Sequence, residues 1–256
     1  MLISDQHKLI LMLPQKCGSA TLQQRFKSLH SCAEVGSSPY YDSTMKRYLS
    51  KHITLRVAKQ LGAFKKRKNY QRACFVRNPY DRVYSWFKWQ LRLTQKPIPE
   101  KSPEQKYSVS RRLDGGDASL KRTQRIRENL KLKMDAAGGE FNRYIEQNPD
   151  SYKPIHEFTH CWGRSQMDFI GYVERFEDDY QEMCTKYAID LDSSVSGNVL
   201  VAPKTACHPH QMCRDDFKSL DYYERRTVAF INKRFKLDFK YFGYPMLEPK
   251  AFSEKI

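Results

Sequence analysis

The chain has 256 residues, of which 40% are hydrophobic, and a formal net charge of +16. This length fits one domain with a sizeable core, and the apolar runs are too short for a membrane-spanning helix. The excess of basic residues indicates an anionic partner, such as a nucleotide, a nucleic acid, an acidic sugar or a membrane surface.

The first predicted element is a short strand that leads into an anion-binding loop. Leu9 to Leu13 is an apolar run, and residues 14–21 (PQKCGSAT) separate it from a predicted helix. The N–H groups at a helix start have no partners inside the helix, and the helix dipole adds positive potential there. Lys16 adds a full charge, and Gly18 lets a ligand approach the main chain. The segment therefore predicts a site for an anionic phosphoryl or sulfuryl group.

A helix is predicted next, over residues 44–61. Apolar residues recur near one face of it, namely Leu49, Ile53, Val57 and Leu61. His52 would lie on this helix. The charged run at residues 65–72 indicates a solvated connection.

The second predicted strand, Ala73 to Val76, also runs into a basic turn and a helix. Pro79 suits the first turn of that helix, where its missing N–H costs nothing. Arg77 can bind a phosphate bidentately, and Ser85 adds a hydroxyl donor, although Arg77 could instead pair with Asp81 at the surface. Two strand–turn–helix units predict an α/β fold with a parallel sheet whose ligand lies at the carboxyl ends of the strands. Two anion sites at neighbouring strand ends suit a nucleotide that bears phosphate at two positions.

The remaining elements complete a single predicted domain over residues 1–256. It carries a helical and loop insertion at about residues 95–150, in which a surface segment precedes a basic amphipathic helix ended by Gly138 and Gly139. A third strand is predicted near residues 168–172, and later helices near residues 141–147, 177–188 and 223–235.

The two strand-end motifs carry a resemblance to a known family. PQKCGSATL and FVRNPYDRVYSWF resemble the nucleotide-binding motifs of the sulfotransferases that use 3′-phosphoadenosine 5′-phosphosulfate, most closely the carbohydrate O-sulfotransferases and their bacterial relatives. The likeness continues, in order, through residues 51–54, 168–180 and 236–244. It implies the sulfotransferase fold, which is a P-loop-like parallel sheet flanked by helices. It also implies an enzyme that moves a sulfuryl group to a hydroxyl or amine and releases 3′,5′-adenosine bisphosphate.

The resemblance assigns roles to individual residues. Lys16 matches the lysine that contacts the sulfate-bearing phosphate and steadies the leaving group, and Arg77 and Ser85 match the pair that binds the 3′-phosphate. Lys204 and Thr205 resemble part of a late loop that closes over the nucleotide. The cradle around the 5′-phosphosulfate corresponds to Cys17, Gly18, Ser19, Ala20 and Thr21. The family commonly has Thr or Ser where this chain has Ala20, so a backbone donor remains there but a side-chain donor does not.

The general base is expected to be a histidine. His52 is the first choice, because glycan sulfotransferases carry a catalytic histidine at a similar place. His156 is the second choice, since it resembles a position near the acceptor cleft. His7, His30, His208 and His210 have weaker claims.

The acceptor implied by the resemblance is a carbohydrate, and a small hydroxylated metabolite is the alternative. A phosphotransferase of the same architecture is a rival, but the chain lacks the G-x-x-x-x-G-K-[ST] motif that such enzymes use. A basic nucleic-acid-binding module is a second rival, supported by the charge and the many aromatic residues. No recognised nucleic-acid motif is visible, so no nucleic-acid partner is expected.

No metal is expected at the site, because Lys16, Arg77 and the helix start already offset the donor's charge. The cluster Cys207, His208, His210 and Cys213 matches no common zinc-finger spacing. No secretory signal is visible. The expected location is cytoplasmic if residue 1 is the native start, and the Golgi lumen if the chain is a trimmed form.

Overall fold

The computed structural model describes residues 1–28, 32–34, 40–42, 47–49, 51–65, 67–95, 116–189 and 220–253. Among them, the strands of the main sheet are β1 (Leu2–Ser4), β2 (Leu9–Met12), β3 (Cys32–Glu34), β6 (Gln71–Val76) and β9 (Phe169–Tyr172). Two small antiparallel pairs stand apart from it. They are β4 (Tyr40–Asp42) with β5 (Arg47–Leu49), and β7 (His160–Cys161) with β8 (Arg164–Ser165).

The main sheet has the order β3-β1-β2-β6-β9. Strands β2, β6 and β9 run parallel, with Leu9 opposite Gln71 and Val76 opposite Tyr172. The predicted α/β fold with a parallel sheet is therefore confirmed. Strands β1 and β3 pair antiparallel at the edge beside β2, which the sequence did not predict.

Nine α-helices lie among the described residues. They are α1 (Ser19–Ser28), α2 (Leu55–Gln60), α3 (Pro79–Gln95), α4 (Gly116–Ala136), α5 (Phe141–Gln147), α6 (His156–Thr159), α7 (Phe176–Lys186), α8 (Arg225–Arg234) and α9 (Lys236–Phe242). The predicted stop after α4 is present, since Gly138 and Gly139 have φ values of 62° and 71°. These left-handed conformations favour glycine and end the helix.

The predicted helix over residues 44–61 is wrong in its first half. Residues Arg47–Leu49 form β5, and the helix begins only at Leu55, after an extended Thr54 (φ −75°, ψ 166°). Tyr48 lies opposite Tyr41 in the backbone register of β5 with β4, and aromatic residues are enriched in strands. His52 consequently lies on the extended segment before α2.

The main sheet separates two apolar clusters, and the helices that follow β2 and β6 pack on opposite faces of it. Alternate residues of β2 face opposite sides, so Leu11 packs with α1 and α7 while Met12 packs with α2, α3 and the later helices. Strand β2 therefore continues into a helix on one face, and its parallel neighbour β6 continues into a helix on the other. Open α/β sheets bind ligands at such switch points, outside the carboxyl ends of the strands.

Candidate functional site

The loop between β2 and α1 curls tightly at the carboxyl end of β2. Lys16 and Gly18 both have positive φ values, of 65° and 72°. The Gly18 carbonyl accepts the Leu22 N–H at 3.0 Å, which begins the hydrogen bonding of α1. Such a loop directs the unpaired N–H groups of the first helical turn toward the crevice, where they can bind an anion.

The Lys16 ammonium lies in a strongly positive environment. Burial, followed by the nearby charges of Arg77 and Arg92, lowers the pKa of Lys16 from 10.5 to about 8. Its Nζ lies 5.9 Å from the centroid of the Trp89 ring. A cation held among other cations needs an anion to offset its charge, so this pKa indicates an anionic ligand beside Lys16.

The junction between β6 and α3 lies directly against this loop. The Arg77 Nη1 donates to the Lys16 carbonyl at 3.4 Å. Asn78 is fully buried. Its N–H donates to Glu174 Oε1 at 2.8 Å, and its Oδ1 accepts the Tyr80 N–H at 2.9 Å at the start of α3. The buried Glu174 carboxylate thereby fixes the main chain just after Arg77.

His52 lies across the crevice with a defined tautomer. Its Nδ1 is 2.7 Å from the Leu13 carbonyl oxygen, which can only accept, so the neutral ring carries its proton on Nδ1 and a lone pair on Nε2. Burial is the main cause that lowers the pKa of His52 from 6.5 to about 4. The imidazole is therefore neutral near pH 7, the form in which Nε2 can accept a proton.

A cleft of about 490 Å³ joins these groups. Its walls are Gln15, Lys16, Gly18, Ser19, Ala20, Thr21, Lys51, His52, Arg77, Ser85, Trp86 and Trp89. Sites for small ligands and nucleotides commonly have volumes of roughly 300–1,000 Å³. Most of the predicted site residues thus meet at one place, although they come from four separate segments of the chain.

Several predicted site residues lie elsewhere. The Cys17 side chain is buried in the apolar core, where burial raises the pKa of its thiol to about 12, so only its main chain faces the loop. His156 is not among the cleft residues. Its Nδ1 contacts Asp238 Oδ1 at 2.7 Å, and its N–H donates to the same oxygen at 2.9 Å. These contacts join α6 to α9. Lys204 and Thr205 lie outside the described residues.

The structure adds residues that the motifs did not single out. Gln15 and Lys51 line the cleft, and Arg92 acts on the charge of Lys16. Arg82 is 4% exposed, and its Nε donates to the Gln15 carbonyl at 2.9 Å. The sequence could have indicated Arg82, because it is the last residue of the RNPYDR motif and lies one turn into α3, near the carboxyl end of β6.

In the parts of the chain that the structure describes, no three His, Cys, Asp or Glu side chains converge as metal ligands. The cluster at Cys207, His208, His210 and Cys213 lies outside those parts. No helix among the described residues is long and apolar enough to cross a membrane.

Comparison with known proteins gives one match. The family model described as "Sulfotransferase family" matches residues 1–245. No curated protein and no solved structure matches the chain. The matched range contains every residue of the cleft.

Proposed function

The chain belongs to the sulfotransferase family, and from this premise we propose that its donor is 3′-phosphoadenosine 5′-phosphosulfate and its acceptor a carbohydrate hydroxyl. One observation carries the proposal. Arg77 contacts the main chain of Lys16, so two positive sites at the ends of adjacent parallel strands border a single cleft. Such a pair suits a nucleotide with phosphate at both ends.

The residues present fit this donor. Lys16 and the N–H groups of Gly18 to Thr21 would hold the 5′-phosphosulfate, and Arg77 and Ser85 would hold the 3′-phosphate. The donor supplies an activated sulfuryl group whose leaving group is a phosphate. Negative charge grows on that leaving group, and Lys16 and the loop N–H groups are fixed where they can stabilise it.

His52 would remove the proton from the acceptor hydroxyl. Its Nε2 carries the lone pair, and the Leu13 carbonyl both orients the ring and stabilises the Nδ1 proton as positive charge develops. Burial keeps the pKa of His52 low in the free protein. An anionic donor nearby would raise that pKa, because an opposite charge favours the protonated imidazole.

A carbohydrate acceptor rests on the motif resemblance and on the cleft wall. Trp86 and Trp89 form a tilted pair with ring centroids 5.1 Å apart, and Trp89 is 41% exposed. An indole face is a suitable surface for the apolar side of a sugar ring. A small hydroxylated metabolite is the alternative, and assays with both classes of acceptor distinguish the two.

The donor is tested by thermal shift with 3′,5′-adenosine bisphosphate, ADP and ATP at equal concentrations. We expect the bisphosphate to raise the unfolding temperature most, without added magnesium. Replacing Arg77 by Met removes the guanidinium contact to the 3′-phosphate and should strongly reduce the difference between the bisphosphate and ADP. Replacing the exposed Arg56 by Met is the matched control. Stabilisation by ATP with magnesium, but not by the bisphosphate, would instead favour a phosphotransferase.

A further inference from the structure

A small recess lies behind the anion loop, next to the cleft. It shares Gln15, Lys16 and Trp86 with the cleft and is also lined by Arg82 and Tyr152. Its volume is about 10 Å³. That is about the minimum space needed for one water molecule.

Three polar atoms of the residues around this recess are buried without a hydrogen-bond partner among the described residues. They are Gln15 Oε1, Trp86 Nε1 and the Tyr152 hydroxyl. Tyr152 is only 4% exposed, and its ring lies 6.1 Å from that of Trp86. Buried polar groups are almost always paired, with protein or with ordered water. The set comprises one acceptor and two donors, which one water can satisfy by donating once and accepting twice.

One of these three atoms belongs to Gln15, which lies in the anion loop directly before Lys16. Arg82 already holds the Gln15 main chain, and its Nη2 donates to the Lys153 carbonyl at 2.7 Å. The next residue, Lys16, has a φ of 65°, a strained conformation for a residue with a side chain. Strained conformations persist only where their surroundings hold them, so fixing the Gln15 side chain would help to hold Lys16.

We propose that the recess binds one ordered water between Gln15 Oε1, Trp86 Nε1 and the Tyr152 hydroxyl, and that Tyr152 is thereby a positioning residue for Lys16. The water site depends on none of the functional assignments. Its effect on donor affinity rests on the proposed function.

The test compares Tyr152→Phe with Tyr187→Phe. The Tyr187 hydroxyl is also buried without a partner among the described residues, but its ring packs near Phe169 in the apolar cluster on the α1 and α7 side of the sheet. Each variant loses a single hydroxyl. We expect Tyr152→Phe to weaken binding of 3′,5′-adenosine bisphosphate by about three- to tenfold in calorimetry, and Tyr187→Phe to leave it unchanged.

Three further measurements protect this test against misfolding and against a wrong donor. Gln15→Met removes the acceptor from the loop, and its effect should be less than additive with that of Tyr152→Phe because both act on one water. A high-resolution crystal structure should show a water within hydrogen-bonding distance of all three atoms, and lysine NMR should show a changed Lys16 pKa in Tyr152→Phe.

The outcomes separate the two proposals. A wild-type crystal structure without this water, or with a protein atom in its place, overturns the inference. Equal bisphosphate affinity in the wild type and Tyr152→Phe overturns the positioning role of Tyr152. If the wild-type protein does not bind the bisphosphate, the proposed donor fails, while the crystal structure and the Lys16 titration still test the water.

Discussion

The protonated side chain of Lys16 destabilises the folded protein. Its pKa falls from 10.5 to about 8, so the folded protein binds this proton less tightly than the unfolded chain does. Lys16→Met should therefore raise the free energy of unfolding at pH 7 by about 1 to 3 kcal/mol, while sulfuryl transfer is nearly abolished. Because stability rises with pH between the two pKa values, the difference from wild type should shrink between pH 8 and 10.5.

Denaturant unfolding measures the change in the free energy of unfolding of Lys16→Met, and a sulfuryl-transfer assay measures its activity. Lys59→Met is the matched control, since Lys59 is an exposed lysine of α2, and it should change neither quantity. An active Lys16→Met protein would remove Lys16 from the mechanism. An inactive but destabilised variant would contradict the described environment of the ammonium.

The shifted pKa values of Lys16 and His52 also predict how activity depends on pH. The proposed mechanism requires protonated Lys16 and neutral His52, whose pKa values in the free protein are about 8 and about 4. The value of kcat/KM should therefore be flat between these limits and fall about tenfold per unit above pH 8. In the profile of kcat both limits should move upward, because the bound anionic donor favours the protonated form of each group.

Two histidine variants identify the base in the same assay. His52→Ala should lower kcat by at least about a hundredfold. His156→Asn should lower stability, because it breaks the contact with Asp238, and leave kcat near normal. The reverse result would transfer the catalytic role to His156.

At this scale, the motifs predicted which residues meet but not their surroundings. Lys16 and Arg77 follow the ends of β2 and β6, which are neighbouring parallel strands, and Ser85 lies in the helix that follows β6. The carboxyl ends of neighbouring parallel strands are close together whatever the loop conformation, so the meeting of these residues was predictable. The contact of His52 with the Leu13 carbonyl joins segments 39 residues apart, and no local pattern records it. The same holds for the effect of Arg92 on Lys16.

Among the elements, the pairing of β6 with β9 is sensitive to the size of one residue. Phe75 lies opposite Gly171, and a Cβ at Gly171 would come within 2.6 Å of the Phe75 ring. Gly171→Ala should destabilise the protein by about 1 to 3 kcal/mol, because the buried ring must move. Urea unfolding measures this cost.

A double-mutant cycle identifies the cause. In a Phe75→Leu background the smaller side chain should reduce the cost of Gly171→Ala. An equal cost in both backgrounds would place the strain elsewhere. A shift of β6 or β9 would also move the edge of the cleft, because these strands lead directly to Arg77 and Glu174.

The elements that were predicted correctly have strong local signals. Strand β6 is a buried apolar run, and α3 begins at Pro79. The strand at residues 47–49 has no signal of its own in the sequence, because three residues are too few to show alternation and neighbouring apolar residues repeat at helical spacing. Strands β1 and β3 are equally short, and only their pairing in the sheet defines them.

For the whole molecule, the charge of +16 should assist capture of an anionic donor. Raising the ionic strength from about 0.1 M to about 1 M shortens the screening length from about 10 Å to about 3 Å. We expect the KM for the donor to rise several-fold over this range, with little change in kcat. Initial rates at a series of NaCl concentrations measure this, and sucrose of matched viscosity is the control.

The same charge supports the nucleic-acid rival, so competition is informative. Excess DNA should leave the KM for the donor nearly unchanged at about 0.15 M salt if the cleft is built for a nucleotide. Strong inhibition that disappears steeply with salt would show instead that polyanions occupy this surface.

The hairpin of β7 and β8 bears on how ligand binding can be followed. Its turn carries Trp162, which is 97% exposed, and the hairpin leads into the start of β9, at the opposite end of the sheet from Arg77. The chain has three tryptophans, and the other two are Trp86 and Trp89 in the cleft. Native fluorescence is therefore the sum of the emission of the exposed Trp162, which a ligand in the cleft should not change, and the emission of Trp86 and Trp89, which would lie beside such a ligand. In Trp162→Phe the background disappears, and quenching of the remaining light would report occupancy without any attached dye.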